Sequence, residues 1–65
     1  MEELGKKRIT IIKLRKKRSL TQIEVANYLG ISSSFYSQIE TGRRSPGREN
    51  AIKICDFYGI DIRKL

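Results

Sequence analysis

The sequence contains no histidine and only one cysteine, Cys55. Tetrahedral zinc needs several Cys or His ligands and a disulfide needs two cysteines, so the chain can form neither. We expect Cys55 to be a small buried apolar residue in a reducing compartment rather than a reactive thiol. A 65-residue domain without such a cross-link must be stabilised by dense helix packing, and self-association would help.

The sequence also lacks the features of membrane proteins and enzymes. It has no apolar run of the roughly 18 residues that a spanning helix needs, and residues 1–5 lack the basic-then-apolar order of a signal peptide. No segment combines a basic face with the wide apolar face of a membrane-surface helix. A Ser/His/Asp set, a phosphate-binding glycine-rich loop and a metal cluster are absent too. We therefore expect a cytoplasmic protein with no enzyme activity and no cofactor.

Positive charge is what the sequence has in excess. Fourteen Lys and Arg against seven Asp and Glu give a formal net charge of +7. Such an excess on a small domain indicates a polyanionic partner, either nucleic acid or an anionic membrane surface, and charge alone does not separate the two. An excess that only keeps the protein soluble is a further alternative.

Sparse glycine, serine and proline residues divide the chain into segments of helical length with little period-2 alternation. The β-branched residues 9–12 could form a strand, but a lone strand has nothing to pair with. We therefore assign them to a first helix over roughly residues 5 to 18. The expected inner face of this helix consists of Leu4, Ile11, Leu14 and Arg15.

The second segment has clear boundaries. Thr21 and Glu24 have the spacing of a capping box, with Thr21 as the N-cap, and Gly30 can adopt the positive φ that ends a helix. These signals predict a helix over residues 22–29. Its expected buried residues are Val25, Ala26 and Leu29.

The third segment repeats this pattern. Ser32 is the expected N-cap, Tyr36 and Ile39 form the buried row, and Gly42 ends the helix, which we place at about residues 33–40. Only about three residues separate it from the second helix. So short a turn forces the two helices to cross steeply, as in a DNA-binding helix-turn-helix.

Pro46 marks the start of a fourth helix, predicted over residues 48–58 and ended by Gly59. The apolar residues that it carries are Ala51, Ile52, Ile54, Cys55 and Tyr58. Asp61 can cap a short fifth helix with Ile62 and Leu65 facing inward. Exposed apolar side chains in this region form a candidate self-association patch, which comprises Phe57, Ile60, Ile62 and Leu65.

Taken together, these stretches resemble the Cro and phage-repressor family of XRE-type regulators. The matching stretches are residues 14–15, 20–26, 29–32, 37–44 and Pro46. Each stretch is weak by itself, but their order and spacing are specific. The resemblance implies an all-α, compact, four-to-five-helix lambda-repressor-like DNA-binding domain spanning residues 1–65, with the helix-turn-helix formed by helices 2 and 3.

In this family the second helix of the pair enters the major groove and presents residues to base edges. The resemblance therefore assigns DNA contacts to the exposed positions of the third helix, which are Ser33, Ser34, Phe35, Ser37 and Gln38. Gln38 can pair with adenine N6 and N7, while the serines discriminate weakly. The alternative is that this face is merely polar and solvated.

Phosphate contacts are implied for the helix starts and for the basic residues after the third helix. Gln22 and Ser32 lie at helix N-termini, which favour anions, and Arg43 and Arg44 can reach phosphates or a narrow minor groove. A second basic run contributes mainly to the electrostatic field and to solubility. It consists of Lys13, Lys16, Lys17 and Arg18.

Arg15 and Glu40 have a different implied role. The family often pairs an arginine and a glutamate at these positions, so we expect a partly buried ion pair that ties the first helix to the end of the third. Such a pair fixes geometry more reliably than it adds net stability.

The resemblance implies a sequence-specific double-stranded DNA-binding transcriptional regulator, most simply a bacterial or phage repressor associated with the nucleoid. A module this small reads little sequence, so we expect a homodimer on a palindromic operator. The alternative is an antitoxin or another protein-binding partner built on the same fold. An extra segment outside the core would mark that alternative, and the sequence does not show one.

Overall fold

The computed structural model describes residues 7–65 and consists, over that range, of four α-helices and a short 3-10 turn. The helices are α1 (Ile9–Lys17), α2 (Gln22–Leu29), α3 (Ser33–Thr41) and α4 (Gly47–Tyr58), and the C-terminal 3-10 turn is Ile62–Lys64. The expected all-α, lambda-repressor-like architecture is confirmed.

Helix α1 begins later than predicted, at Ile9 rather than near residue 5. The reason is a tertiary contact at Arg8, whose backbone N–H donates to the carbonyl oxygen of Glu40 at 2.8 Å. Its guanidinium Nη1 also donates to the carbonyl oxygen of Ile39 at 2.8 Å. Both contacts fix Arg8 in a non-helical conformation against the end of α3. Of the predicted inner face, Ile11 is buried and Leu14 and Arg15 are partly buried, while Leu4 lies outside the described residues.

Helix α2 has the predicted boundaries because its two ends are determined locally. The Thr21 hydroxyl accepts a hydrogen bond from the Glu24 backbone N–H at 3.1 Å, and the Glu24 carboxylate accepts one from the Thr21 N–H at 2.8 Å. Gly30 ends the helix at φ +77°. At that backbone angle a side chain would be strained, so glycine is the suitable residue.

Helix α3 follows after the turn formed by residues 30–32. The Ser32 hydroxyl accepts a hydrogen bond from the Phe35 N–H at 3.0 Å, and Gly42 ends the helix at φ +83°. Helices α2 and α3 pack against each other, and Val25, Ala26 and Ile39 are fully buried in the core that they share. Ala26 has no exposed surface, so a larger side chain there would separate the two helices.

Helix α4 begins at Gly47, directly after its N-cap Pro46. Ile52, one of the apolar residues of this helix, is 43% exposed, because the helical period turns it away from the face that carries Ala51 and Ile54. The predicted fifth helix is only the 3-10 turn, capped by the Asp61 carboxylate, which accepts from the Arg63 N–H at 2.8 Å.

The predicted inward side chains after α4 are divided between solvent and core. Ile62 is 48% exposed, contrary to the expectation. Leu65 is partly buried and packs against the core. Phe57 and Ile60 do the same, so the self-association patch predicted for this region is less exposed than expected.

One core unites the helices. Its buried residues are Ile11, Val25, Ala26, Leu29, Tyr36, Ile39, Ile54 and Tyr58. The core includes a polar pair that the sequence did not indicate, since the hydroxyls of Tyr36 and Tyr58 lie 2.7 Å apart in a buried hydrogen bond. Burial raises the pKa of both hydroxyls, so both remain protonated near neutral pH.

Cys55 is buried on the inner face of α4. Burial raises the pKa of its thiol, which disfavours the reactive thiolate. Among residues 7–65 the helices are all too short and too polar to cross a bilayer. In the same range, groups of three or more potential metal ligands do not occur.

Candidate nucleic-acid interface

Helix α3 presents a short polar face. Ser33 and Ser34 are exposed, while Ser37 and Gln38 are partly exposed. The buried Tyr36 and Ile39 face the core, which leaves these four polar side chains on the surface. The Ser32 hydroxyl accepts the capping hydrogen bond, so its own O–H remains able to donate to an external acceptor.

The basic segment after α3 folds back along that helix. The backbone N–H groups of Arg43 and Arg44 both donate to the carbonyl oxygen of Gln38, at 2.9 and 3.2 Å. The Arg44 guanidinium lies 5.4 Å from the centroid of the Phe35 ring, within the range of a cation–π interaction. Phe35 is itself half-buried against the core. The backbone of Arg43 and Arg44 is therefore fixed beside the polar face of α3, and the Arg44 guanidinium is held there by Phe35.

Arg15 and Glu40 form an ion pair beneath this face. Arg15 Nε lies 2.7 Å from Glu40 Oε2, and Arg15 Nη2 donates to Glu40 Oε1 at 3.1 Å. The hydrogen bond from Arg15 to Glu40 raises the pKa of the guanidinium, which stays charged. Burial alone would raise the pKa of the Glu40 carboxyl, but hydrogen bonds from Arg15 and Gln22 lower it below its usual value. The pair joins α1 to the end of α3.

Gln22, a predicted phosphate contact, is attached to this ion pair. Its side-chain Nε2 donates to Glu40 Oε1 at 2.9 Å, and the side chain is partly exposed. An amide nitrogen carries two hydrogens, so Gln22 keeps a second N–H for an external acceptor. Because Gln22 is the first residue of α2, its backbone N–H points out of the N-terminal end of the helix, where the helix dipole is positive.

Two arginines have roles that sequence reasoning missed. Arg18 was assigned to the general electrostatic field, but it donates to the carbonyl oxygens of Phe57 and Tyr58 at 2.8 and 3.2 Å. Its guanidinium also lies 5.4 and 5.3 Å from the centroids of those two rings. Arg8 contacts the end of α3 in a similar way. A basic residue distant in sequence gives no local signal that it will cap another helix.

Two short helices joined by a three-residue turn, with the second helix exposing a polar face beside basic side chains, define a helix-turn-helix domain. Residues 11–65 match the family described as "Helix-turn-helix". The chain belongs to this family, and its resemblance to the XRE-type phage repressors is confirmed.

Several known proteins have sequences similar to this one. The chain is 42% identical over 52 residues to the cryptic phage CTXphi transcriptional repressor RstR of Vibrio cholerae, covering 80% of this chain and 47% of that protein. It is 37% identical over 62 residues to the ImmF control region 10 kDa protein of Bacillus phage phi105, covering 94% and 69% of the two chains. It is 36% identical over 47 residues to the uncharacterized HTH-type transcriptional regulator MJ0272 of Methanocaldococcus jannaschii, covering 72% and 71%.

The chain thus spans about half the length of the RstR repressor that it matches. No solved structure matches it significantly.

Proposed function

We propose that the protein is a sequence-specific double-stranded DNA-binding transcriptional regulator that acts as a repressor. The observation that carries the proposal is the polar face of α3 with Arg43 and Arg44 fixed beside it. The family membership and the repressor name of one relative, RstR of Vibrio cholerae, support it. A domain that occupies a promoter blocks access by polymerase, which is the simplest regulatory action of such a fold.

Helix α3 would lie in the major groove. Gln38 is the residue best suited to discriminate bases, because its amide can donate to and accept from the edge of an adenine. The exposed Ser33 and Ser34 are short and adaptable, so they would add contacts with little discrimination. Ser37 and Phe35 would flank these contacts, and Phe35 can touch a thymine methyl group. DNA shape would supply much of the remaining specificity.

Phosphate contacts would hold this helix in register. Gln22 and Ser32 each keep a hydrogen-bond donor at a helix start, and Arg43 and Arg44 carry full positive charge on the exposed surface. Glu40 holds Gln22 in place and so would orient its remaining N–H. These contacts fix position and carry most of the affinity without reading sequence directly.

One copy of the domain contacts only a short stretch of groove, so useful specificity requires two copies on a palindromic operator. We therefore include a homodimer in the proposal, together with a location in the bacterial or phage-infected cytoplasm at the nucleoid. We also include a role without catalysis in the proposal, which the family membership supports.

Selection of bound sequences from a random duplex library tests the proposal. We expect an enriched motif with two-fold symmetry and a half-site spacing near one helical turn of DNA. Enrichment of no sequence above random duplex would refute specific binding, and a single asymmetric half-site would refute the palindromic operator. Transcription in vitro from a promoter that overlaps the selected motif should decrease when the protein is added, which tests repression.

Fluorescence anisotropy with the selected duplex then tests which residues of α3 contact the bases. Gln38→Ala should weaken specific binding by about 1–3 kcal/mol and relax preference at one base pair. Asn27→Ala is the matched control, because Asn27 is an exposed side chain on α2 outside the proposed contact set. Equal losses in the two variants would show that α3 does not read the bases.

A further inference from the structure

The outward side of α4 is an exposed surface outside the proposed DNA contacts. Glu49, Ile52, Lys53 and Asp56 are all exposed and share one side of the helix by their spacing. Beside them, Phe57 and Tyr28 of α2 line a shallow groove together with Lys53 and Asp56. We call this surface, made of Tyr28, Ile52, Lys53, Asp56 and Phe57, the α4 outer face.

Apolar side chains on the α4 outer face are unusually exposed. Tyr28 is 72% exposed and Ile52 is 43% exposed. The Tyr28 and Phe57 rings pack at a 42° tilt with centroids 4.7 Å apart, so the two aromatic side chains form one continuous patch. Exposed aromatic groups in a groove with a polar rim are typical of protein contacts.

The charges on this face are balanced, unlike those of the whole chain. The net charge of +7 makes most pairs of surfaces repel each other. Lys53 and Asp56 lie one turn apart on the α4 outer face. The ion pairs found within residues 7–65 join other residues, namely Arg15 to Glu40 and Arg63 to Asp61. The charges of Lys53 and Asp56 are thus available to an external partner.

Asp56 is unfavourably placed in its own helix. It lies in the last turn of α4, which contains no basic residue. The negative end of the helix dipole disfavours a carboxylate at that position. A lysine from outside the chain would remove this unfavourable interaction.

We propose that the α4 outer face binds the same face of a second copy, with the two α4 helices antiparallel about a two-fold axis that crosses the outer face midway between the levels of Lys53 and Asp56. Positions equidistant from the axis then face each other, so Lys53 meets the partner's Asp56 and Ile52 meets the partner's Phe57. Each contact occurs twice, as in any isologous interface. In this register no two like charges on the face are directly opposed, and Tyr28 covers the edge of the apolar contact.

This arrangement leaves the recognition helix available. Glu49 and Asp56 would repel phosphates, so this side of α4 is not expected to contact DNA. The inference rests on the homodimer of the proposed function and identifies its surface. Self-association is measured without DNA, so a failure to dimerise is distinguished from a failure to bind an operator.

Sedimentation velocity of the full chain from micromolar to millimolar concentration, at physiological ionic strength, provides the test. We expect the wild type to dimerise. Lys53→Asp and Asp56→Lys should each weaken dimerisation by about tenfold or more, because each places like charges opposite each other. An equimolar mixture of these two variants should form a heterodimer, and the double variant K53D/D56K should dimerise again. Lys13→Asp makes the same charge change on α1 and should leave dimerisation unchanged.

The far-ultraviolet circular dichroism of each variant shows whether it is folded, and formation of the heterodimer shows it independently. A wild type that is monomeric at every concentration overturns the proposal, as does dimerisation of either charge-reversal variant with wild-type affinity. A mixture without heterodimers, or a double variant that stays monomeric, overturns the Lys53–Asp56 pairing and with it the proposed register.

Discussion

Arg15 and Glu40 are in contact through two hydrogen bonds, from Nε at 2.7 Å and from Nη2 at 3.1 Å, although 25 residues separate them in sequence. Glu40 is 2% exposed and Arg15 is 12% exposed. Arg15 also donates to the carbonyl oxygen of Leu20, and Gln22 donates to the same carboxylate. One buried carboxylate thus connects α1, the start of α2 and the end of α3, which is the arrangement that orients the candidate recognition helix.

Removing one partner of this pair should destabilise the fold. Arg15→Leu leaves the buried Glu40 carboxylate without its cationic partner and with uncharged donors such as Gln22, and we expect a loss of about 3–5 kcal/mol in unfolding free energy. Glu40→Leu should also lower the thermal midpoint, because the Arg15 guanidinium loses its partner. The double variant should be more stable than the sum of the two losses predicts, since neither charge remains. Urea and thermal melts measure all three. Unchanged midpoints in both single variants would exclude a structural role.

The same carboxylate predicts how stability depends on pH. The pKa of Glu40 is lower in the folded protein than its ordinary value of about 4.3, so the ionised form favours folding. Its contribution is complete above that ordinary value and is lost as the pH falls through the lower pKa of the folded state. Urea melts across this acidic range should therefore show a steeper loss of stability in the wild type than in Glu40→Gln. Parallel profiles for the two proteins would contradict the lowered pKa.

The buried tyrosine pair should show coupled mutational effects. Tyr58→Phe removes one hydroxyl and leaves that of Tyr36 without its 2.7 Å partner, at a cost of about 1–3 kcal/mol. The double change of Tyr36 and Tyr58 to Phe should cost less than the sum of the single changes, because no lone buried hydroxyl remains. Chemical denaturation of the wild type, the two single variants and the double variant gives the free energies for this double-mutant cycle. Additive effects would show that the two hydroxyls do not depend on each other.

Substitution of Arg18 should affect the stability of the fold, whereas substitution of Arg44 should affect DNA affinity. Arg18→Ala removes the cap on the end of α4 and should lower unfolding free energy by about 1 kcal/mol, with little effect on the salt dependence of DNA binding. Arg44→Ala should leave stability nearly unchanged but reduce the slope of log affinity against log salt by about 1. Lys64→Ala, an exposed cation in the C-terminal 3-10 turn, is the matched control for the salt slope. A slope that changes equally in Arg44→Ala and Lys64→Ala would remove Arg44 from the contact set.

Much of the candidate site was predictable because its signals are local. The exposed polar face of α3 follows from the alternation of Ser33, Ser34 and Gln38 with Tyr36 and Ile39 at helical spacing. The pairing of Arg15 with Glu40 came from family resemblance rather than from spacing, and the structure has those two groups in contact. The stacking of Arg44 on Phe35 was not predicted, since it requires the chain to reverse after Gly42.

The sequence alone determined the ends of α2 and α3. A Thr21 or Ser32 hydroxyl reaches a backbone N–H three residues later, and Gly30 or Gly42 adopts its left-handed conformation without any distant contact. Only the tertiary structure decided where α1 begins, which carbonyls Arg18 caps and which hydroxyl Tyr36 meets. Those partners lie 22 to 40 residues apart. Such contacts form only after the helices have packed, and no short-range pattern specifies them.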